Sequence, residues 1–352
     1  MTATTGGARA SRPRPEDEPP EFVTTALKTH RYLRLSFVFA VGALLIGVTI
    51  ASVAGNYLKG SISYYYWTPA RNVLVGVLIA ASVAMLVLNG RGGAASIRLF
   101  GRWNINVPSP STLLDFAAIF GPLIAIVPTD MKKTEQGLTT FTCEVNEVEC
   151  LPKAALPDVQ NAVLTYIFAV AVILAVMWFV RSRNAKRKPF ALLVPVTAVI
   201  TALALFVLTF VWNDAFPYIR LGGWSVSIHY LATFLFFAAF ALVVWIRGSR
   251  DDDPEDRTPP TPRQKRWYKG LAVAMALDIL FLVGLSVFAW IGFEDLFPGF
   301  PEVMVGEFAG LIVFAWFWAI QTRQRWNEVI TPLPREGSVT AGELSRRLTP
   351  VE

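Results

Sequence analysis

The chain has 352 residues, 54% of them hydrophobic and 16% charged, with a formal net charge of +6 and two cysteines. Soluble domains carry roughly 25% charged residues, so this composition, with a mean hydropathy of +0.46, excludes an ordinary water-soluble protein. The positive charge does not point to nucleic acid, because the basic residues lie beside apolar blocks, where they read as anchors to anionic headgroups.

Residues 1–32 are rich in proline and charge and too poor in apolar side chains to bury a core, so they read as a disordered segment. Blocks of about 20 apolar residues follow, the length a helix needs to cross roughly 30 Å of hydrocarbon. Eight are predicted, over 33–54, 70–89, 112–129, 161–180, 189–212, 224–246, 267–291 and 303–322. The third is interrupted by Pro122 and Pro128, which a membrane helix tolerates where neighbours satisfy the freed carbonyl. A Pro-rich acidic linker at 247–266 separates spans one to six (33–246) from spans seven and eight (267–322). A polar tail, 323–352, carries one short predicted helix, SVTAGELSRRL, capped by Ser338 or Thr340. The expected fold class is therefore all-α: a polytopic membrane helix bundle of about eight transmembrane helices, both termini cytoplasmic.

Charge supports that topology. With an even number of spans and both termini on one side, 26 of the 32 Lys and Arg fall in segments on that side or at its helix ends. The other side holds only Lys59, Arg71, Lys132, Lys133, Lys153 and Arg220. Basic residues accumulate on the cytoplasmic side, which makes the sparse side external and the expected location the cytoplasmic membrane. The first span then acts as an uncleaved anchor, since a long polar segment precedes it.

Cys143 and Cys150 lie in TFTCEVNEVECLPK, within the external loop 130–160. Paired cysteines in an oxidising compartment form disulfides, and that is the expected state. A metal pair would want closer spacing and partner ligands. Glu144, Glu147 and Glu149 make the loop acidic, as a solvated surface is.

Ionisable residues inside spans are functional hypotheses by default; here they are Arg71, Asp115, His229, Asp278 and Glu307. Counting along each span at about 1.5 Å per residue puts Arg71, His229 and Glu307 near the external interface, with Asp130 closing span three on the same side. Ser61, Ser63 and Tyr64 to Tyr66, in the stretch SISYYYWTPARNVLVG, lie above them. Asp278 falls near the midplane and Asp115 at the inner end. The aromatics have a plain alternative role as an interfacial belt, and His229 and Glu307 as a buried polar pair without chemistry. No metal site is expected, since zinc catalysis commonly needs two or three histidines and the chain has only His30 and His229, the former cytoplasmic. A Ser–His–acid arrangement from Ser61 or Ser63, His229 and Glu307 is open on residue types alone. No nucleotide-binding glycine pattern is present, and no cofactor is expected.

Four blocks, SISYYYWTPARNVLVG, IAIVPT (124–129), IHYLATFLFF (228–237) and GEFAGLIVFAWFW (306–318), resemble a family of uncharacterised bacterial multi-pass inner-membrane proteins with an S-x-S-x-YY…R-x-V-F-V-G outer-loop motif. The residues that match are Ser61, Ser63, Tyr65, Arg71, Gly76, Pro128, Thr129, His229, Tyr230 and Glu307; Leu74 stands where phenylalanine is usual. The resemblance, loosely shared with six-span lipid-remodelling and autophagy-modulator-type proteins, implies about six spans, so spans four and five with the cysteine loop would be an insertion. It also implies an external site, without an established activity.

The favoured expectation is a non-enzymatic membrane protein. It would bind a lipid headgroup or small ligand, or scaffold an envelope partner, through an outward-facing polar pocket of Arg71, Ser61, Ser63, Tyr65, Asp130, His229 and Glu307. The alternative is a lipid-active hydrolase or transferase using His229 and Glu307 as acid and base. A third reading, a proton-coupled transporter, rests on the intramembrane charge of Asp278. Expected partners are membrane lipids and an envelope protein, not nucleic acid.

Overall fold

The structure, a computed structural model, describes residues 21–55, 58–88, 94–99, 103–132, 149–180, 190–212, 216–221, 224–249, 258–291 and 300–326. Every predicted apolar block contains a helix: α1 (Glu21–Val53), α2 (Arg71–Val87), α3 (Pro110–Ile126), α4 (Leu156–Val180), α5 (Leu193–Phe206, continued by a π-helical turn Val207–Val211), α6 (Ile228–Ser249), α7 (Pro262–Trp290) and α8 (Glu302–Gln324). Among the described residues, six of these are long and apolar enough to cross a membrane, while α2 and α3 are shorter apolar helices. The chain is thus a multi-pass helical membrane protein. Large apolar side chains such as Phe39, Phe168, Trp178 and Leu203 remain exposed on the bundle's outside, as hydrocarbon contact permits and water would not.

Two sequence expectations are corrected at the edges. Residues 21–32 belong to α1 and are not unstructured, and α7 begins at Pro262, inside the expected linker. The chain is also not purely α. Antiparallel pairs join β1 (Ala94–Leu99) to β2 (Trp103–Pro108), β3 (Met131–Lys132) to β4 (Glu149–Cys150), and β5 (Tyr218–Leu221) to β6 (Trp224–Ser227). The stretches WNIN and WSVS alternate apolar and polar residues, the period of a strand, and hydropathy averaged over 20 residues passes over so short a signal. As a result β6 takes Trp224–Ser227 out of the expected sixth span, and His229 stands in the first turn of α6.

The helix neighbours define a closed ring. α1 packs on α2, α2 on α3, α3 on α6, α6 on α7, α7 on α8, and α8 returns to α1. The pair α4 and α5 stands beside the ring, each packed on the other and on α3. One half of the ring is filled by aromatic side chains: Phe37 stacks on Trp318 at 4.2 Å, and Phe240, Phe314, Phe317 and Tyr268 complete the plug. Small residues allow the backbones to close up. A Cβ added at Gly248 would lie 2.9 Å from the Lys269 backbone nitrogen. One added at Gly310, in the Gly306–Glu307–Phe308–Ala309–Gly310 stretch of α8, would lie 2.8 Å from Asp278 Oδ2.

The opposite half of the ring is closed by a 3₁₀ turn, Ile62–Trp67, between α1 and α2. It carries its own apolar core, in which Tyr65, Tyr66 and Trp67 pack with Leu44, Val48, Leu74 and Met131. These aromatics are inside the protein and not an interfacial belt: Tyr65 is 0% exposed and Trp67 5%.

Candidate functional site

Local sequence sets the shape of the turn. Ser61 has an extended backbone, and its hydroxyl accepts the Ser63 N–H at 3.1 Å, capping the turn's first residues. Thr68 closes it, its hydroxyl donating to the Tyr65 carbonyl at 2.9 Å. Just before the turn, the Gly60 carbonyl accepts the Met304 N–H at 2.8 Å, satisfying one of the free donors at the start of α8. The turn is therefore seated directly over the N-terminus of α8, one turn from Glu307.

Glu307 reaches up into the turn. Its carboxylate accepts the Ser61 hydroxyl at 2.8 Å on both oxygens, the Ser63 hydroxyl at 3.0 Å on Oε1, and the Ile62 N–H on Oε2. A second contact fixes Ser63 from the other side, where His229 Nε2 lies 2.8 Å from Ser63 Oγ. The other ring nitrogen, Nδ1, is 2.8 Å from the Val127 carbonyl oxygen. That carbonyl is available because Val127, preceding Pro128, leaves α3 with an extended backbone. Two residues on, the Thr129 carbonyl accepts the Trp67 indole N–H at 2.9 Å. The Val127–Pro128–Thr129 break thus pins both His229 and the turn.

Hydrogen-bond bookkeeping limits the chemistry. A carbonyl oxygen only accepts, so His229 Nδ1 carries a hydrogen. Ser63 has one hydroxyl proton and two neighbours that want it, His229 Nε2 and Glu307 Oε1. If Ser63 donates to Glu307, Nε2 must be protonated and donate to Ser63, which makes His229 an imidazolium beside a carboxylate. If Ser63 donates to His229, Glu307 must be the protonated partner. Both arrangements are neutral overall and use the same heavy-atom positions. With every one of these contacts a hydrogen bond, the His229–Ser63–Glu307 chain carries one proton beyond those on Ser63 and His229 Nδ1, and Ser63 bridges its two possible positions.

The remaining candidates flank this chain without joining it. Arg71, at the first position of α2, donates from Nη2 to the Tyr66 hydroxyl at 2.7 Å and lies 4.3 Å over the Tyr66 ring. Its Nη1 is 4.0 Å from Asp158 Oδ2 of α4, and its side chain is 34% exposed. Burial pushes the Tyr66 phenol above its ordinary value, and the Arg71 guanidinium works against that shift. Tyr65 shares a hydrogen bond with Ser52 of α1. Asp130 is half-buried three residues past Val127, between α3 and β3. Asp278 of α7 packs against α8 at Gly306 and Gly310, at the level of Glu307 and not near the midplane as counted along the span. The expected disulfide is not supported among the described residues: Cys143 lies outside them, and Cys150 pairs through its backbone with Met131 in the β3–β4 ladder. Gly76 has no atom near a would-be Cβ, so close packing within the chain does not account for its place in the motif.

Four contributors were not legible beforehand. The Val127 carbonyl orients His229; Trp67 works as a hydrogen-bond donor inside the fold; Asp158 partners Arg71. Lys59, counted from sequence only as a loop charge, is 2% exposed beside the turn. The proline at 128 was the one available signal, since it predicts a helix end and free carbonyls just before it. Among the described residues, no group of three His, Cys, Asp or Glu is arranged to hold a metal ion.

The fold and this cluster define a class: a polytopic helical membrane protein whose ring is capped at one end by a buried Ser–His–Glu hydrogen-bond chain. Comparison with family models, with characterised proteins and with solved structures finds no match to this chain.

Proposed function

We propose that this chain is a non-enzymatic cell-membrane protein that binds an anionic lipid headgroup or small anionic ligand at the turn end, presenting that end to an envelope partner. In this reading all eight apolar helices cross the bilayer with both termini cytoplasmic, the turn end external. The two shorter helices, 17 residues each, meet the lower limit for spanning. One contrast carries the reading: Glu307, His229 and the two serines satisfy each other inside the protein, whereas Arg71 keeps a third of its side chain exposed at the rim. The buried chain then serves as the latch that holds the turn, and Arg71 makes the anion contact. Ser61 and Ser63, Val127 and Thr129, His229, and Glu307, drawn from the four blocks that carry the family resemblance, meet at this end, which supports a shared role for it. The aromatic plug in the other half of the ring counts against a path through it, and Asp278 packs against Gly310, so transport is the weaker option.

The test is lipid mass spectrometry of the detergent-purified full chain. Wild type is expected to retain an anionic ligand that Arg71→Gln loses. An identical ligand profile in both proteins would reject the proposal.

One distance favours a second reading, a membrane-embedded lipid-active hydrolase or transferase. Ser63 Oγ lies 2.8 Å from a histidine nitrogen whose ring is held by a backbone carbonyl, as in an activated nucleophile, with His229 and Glu307 as acid and base. Covalent labelling of Ser63 by a fluorophosphonate, abolished by His229→Gln, would establish this reading in place of the first.

A further inference from the structure

Asp278 takes no part in the cluster under the turn. It is half-buried on α7 and makes no hydrogen bond or ion pair among the described residues. Its carboxylate lies over the glycine face of α8: a Cβ added at Gly310 would come within 2.8 Å of Oδ2, and one at Gly306 within 3.5 Å of Oδ1. Spacing shows which side of α7 it occupies. Trp267, Ala274, Asp278 and Phe281 follow one another at seven, four and three residues, a single row along the helix. The three other than Asp278 are exposed. On α8, Ala309 and Trp316 are seven residues apart and exposed as well. The rings of Trp267 and Trp316 meet with centroids 6.1 Å apart, so the two rows border one outward-facing seam. Asp278 and the two glycines form its floor, and Ala274 and Ala309 are the small residues at its edges.

A carboxylate beside hydrocarbon is costly without a donor or a countercharge, and the chain's own helices do not supply the charge. Lys and Arg are absent from 35–53, 72–87, 110–126, 156–180, 193–211, 228–246 and 270–322. Arg71, which opens α2, is held by Tyr66 and Asp158. A second copy pairing through this seam would bring Asp278 to Asp278. We infer that the α7–α8 seam docks one transmembrane helix of another protein, with a lysine or arginine of that helix on Asp278. Ala274 and Ala309 admit its backbone, as small residues do where helices cross in lipid. A lipid amine is the poorer occupant. Asp278 faces Gly306 and Gly310, which lie about 6 and 12 Å along α8 from its start, so a lipid's ammonium would have to leave the headgroup layer to reach it, whereas a helix can carry its cation at any depth. The site is separate from Arg71 and does not rest on the reading of the turn end.

The experiment places the donor-labelled full chain in phosphatidylcholine vesicles with an acceptor-labelled model peptide. The peptide is a Leu-Ala transmembrane helix with one Lys at the depth of Asp278, compared with the same helix carrying Leu there. Energy transfer should show the Lys peptide binding about tenfold more tightly, the size of one good polar contact between helices in lipid. Asp278→Asn, which keeps the shape and loses the charge, should abolish that preference. Ala274→Trp keeps the carboxylate and fills the seam from an exposed position, so it should also lose the Lys peptide; it keeps the proposal testable if Asp278→Asn does not fold. Equal binding of the two peptides would overturn the proposal, as would a Lys preference that survives either substitution. Transfer between two labelled copies of the chain, abolished by Ala274→Trp, would give the seam to a second copy and overturn it. Loss of the Lys preference in phosphatidylethanolamine vesicles would assign Asp278 to a lipid amine, with the same result.

Discussion

Replacing Glu307 by alanine removes the acceptor for three buried donors: the Ser61 hydroxyl, the Ser63 hydroxyl and the Ile62 N–H. Ser63 has a second acceptor in His229 Nε2, so its hydroxyl can turn there. The peptide N–H of Ile62 cannot turn, and Ser61 has no other acceptor among its described bonds. Two orphaned buried donors at about 1–3 kcal/mol each give an expected loss of about 2–6 kcal/mol for Glu307→Ala. Glutamine behaves differently. Its amide nitrogen, placed where Oε1 stands, donates to Ser63, which donates on to His229, while its oxygen accepts from Ile62 and Ser61. Every bond of the protonated-Glu307 arrangement is reproduced, so Glu307→Gln should cost no more than about 1 kcal/mol, the size of one ordinary hydrogen bond. Both values can be read from SDS-titrated unfolding in mixed micelles, followed by tryptophan fluorescence. An alanine variant as stable as wild type would show that the carboxylate does not hold the turn. A glutamine variant as damaged as the alanine one would show that the charge itself is needed, and with it the imidazolium form of His229.

A reporter fused after Glu352 and one inserted after Arg257 should both read cytoplasmic, and one between Cys143 and Cys150 external; an external C-terminus would remove an odd number of spans. Gly248→Ala should lower stability by about 1–3 kcal/mol, because its Cβ would meet the Lys269 backbone at 2.9 Å, while Gly76→Ala, with nothing within 4 Å, should unfold no earlier than wild type. Equal midpoints for these two glycine variants would show that α6 and α7 do not approach so closely.

Hydropathy and charge, read along the chain, were enough to locate each α-helix among the described residues and to place Arg71, His229 and Glu307 near one end of the bundle. Depth is legible because it depends only on position within an apolar block, and a block must match the thickness of the hydrocarbon. What sequence could not provide was the rotation of each helix about its axis and the order in which the helices meet. Those follow from side-chain packing between segments far apart in the chain, such as the glycines of α8 against Asp278 and Leu282 of α7. Rotation brings Glu307 to Ser61 and Ser63, and sends Arg71, at the same end, to Tyr66 and Asp158 instead. Packing order leaves α4 and α5 beside a ring of six helices, although their apolar blocks look like the others. It also encloses Tyr65 and Trp67, whose position next to an apolar block suits an interfacial belt equally well. A buried polar group must find its partner inside the protein, and only the folded chain decides which side chain that partner is.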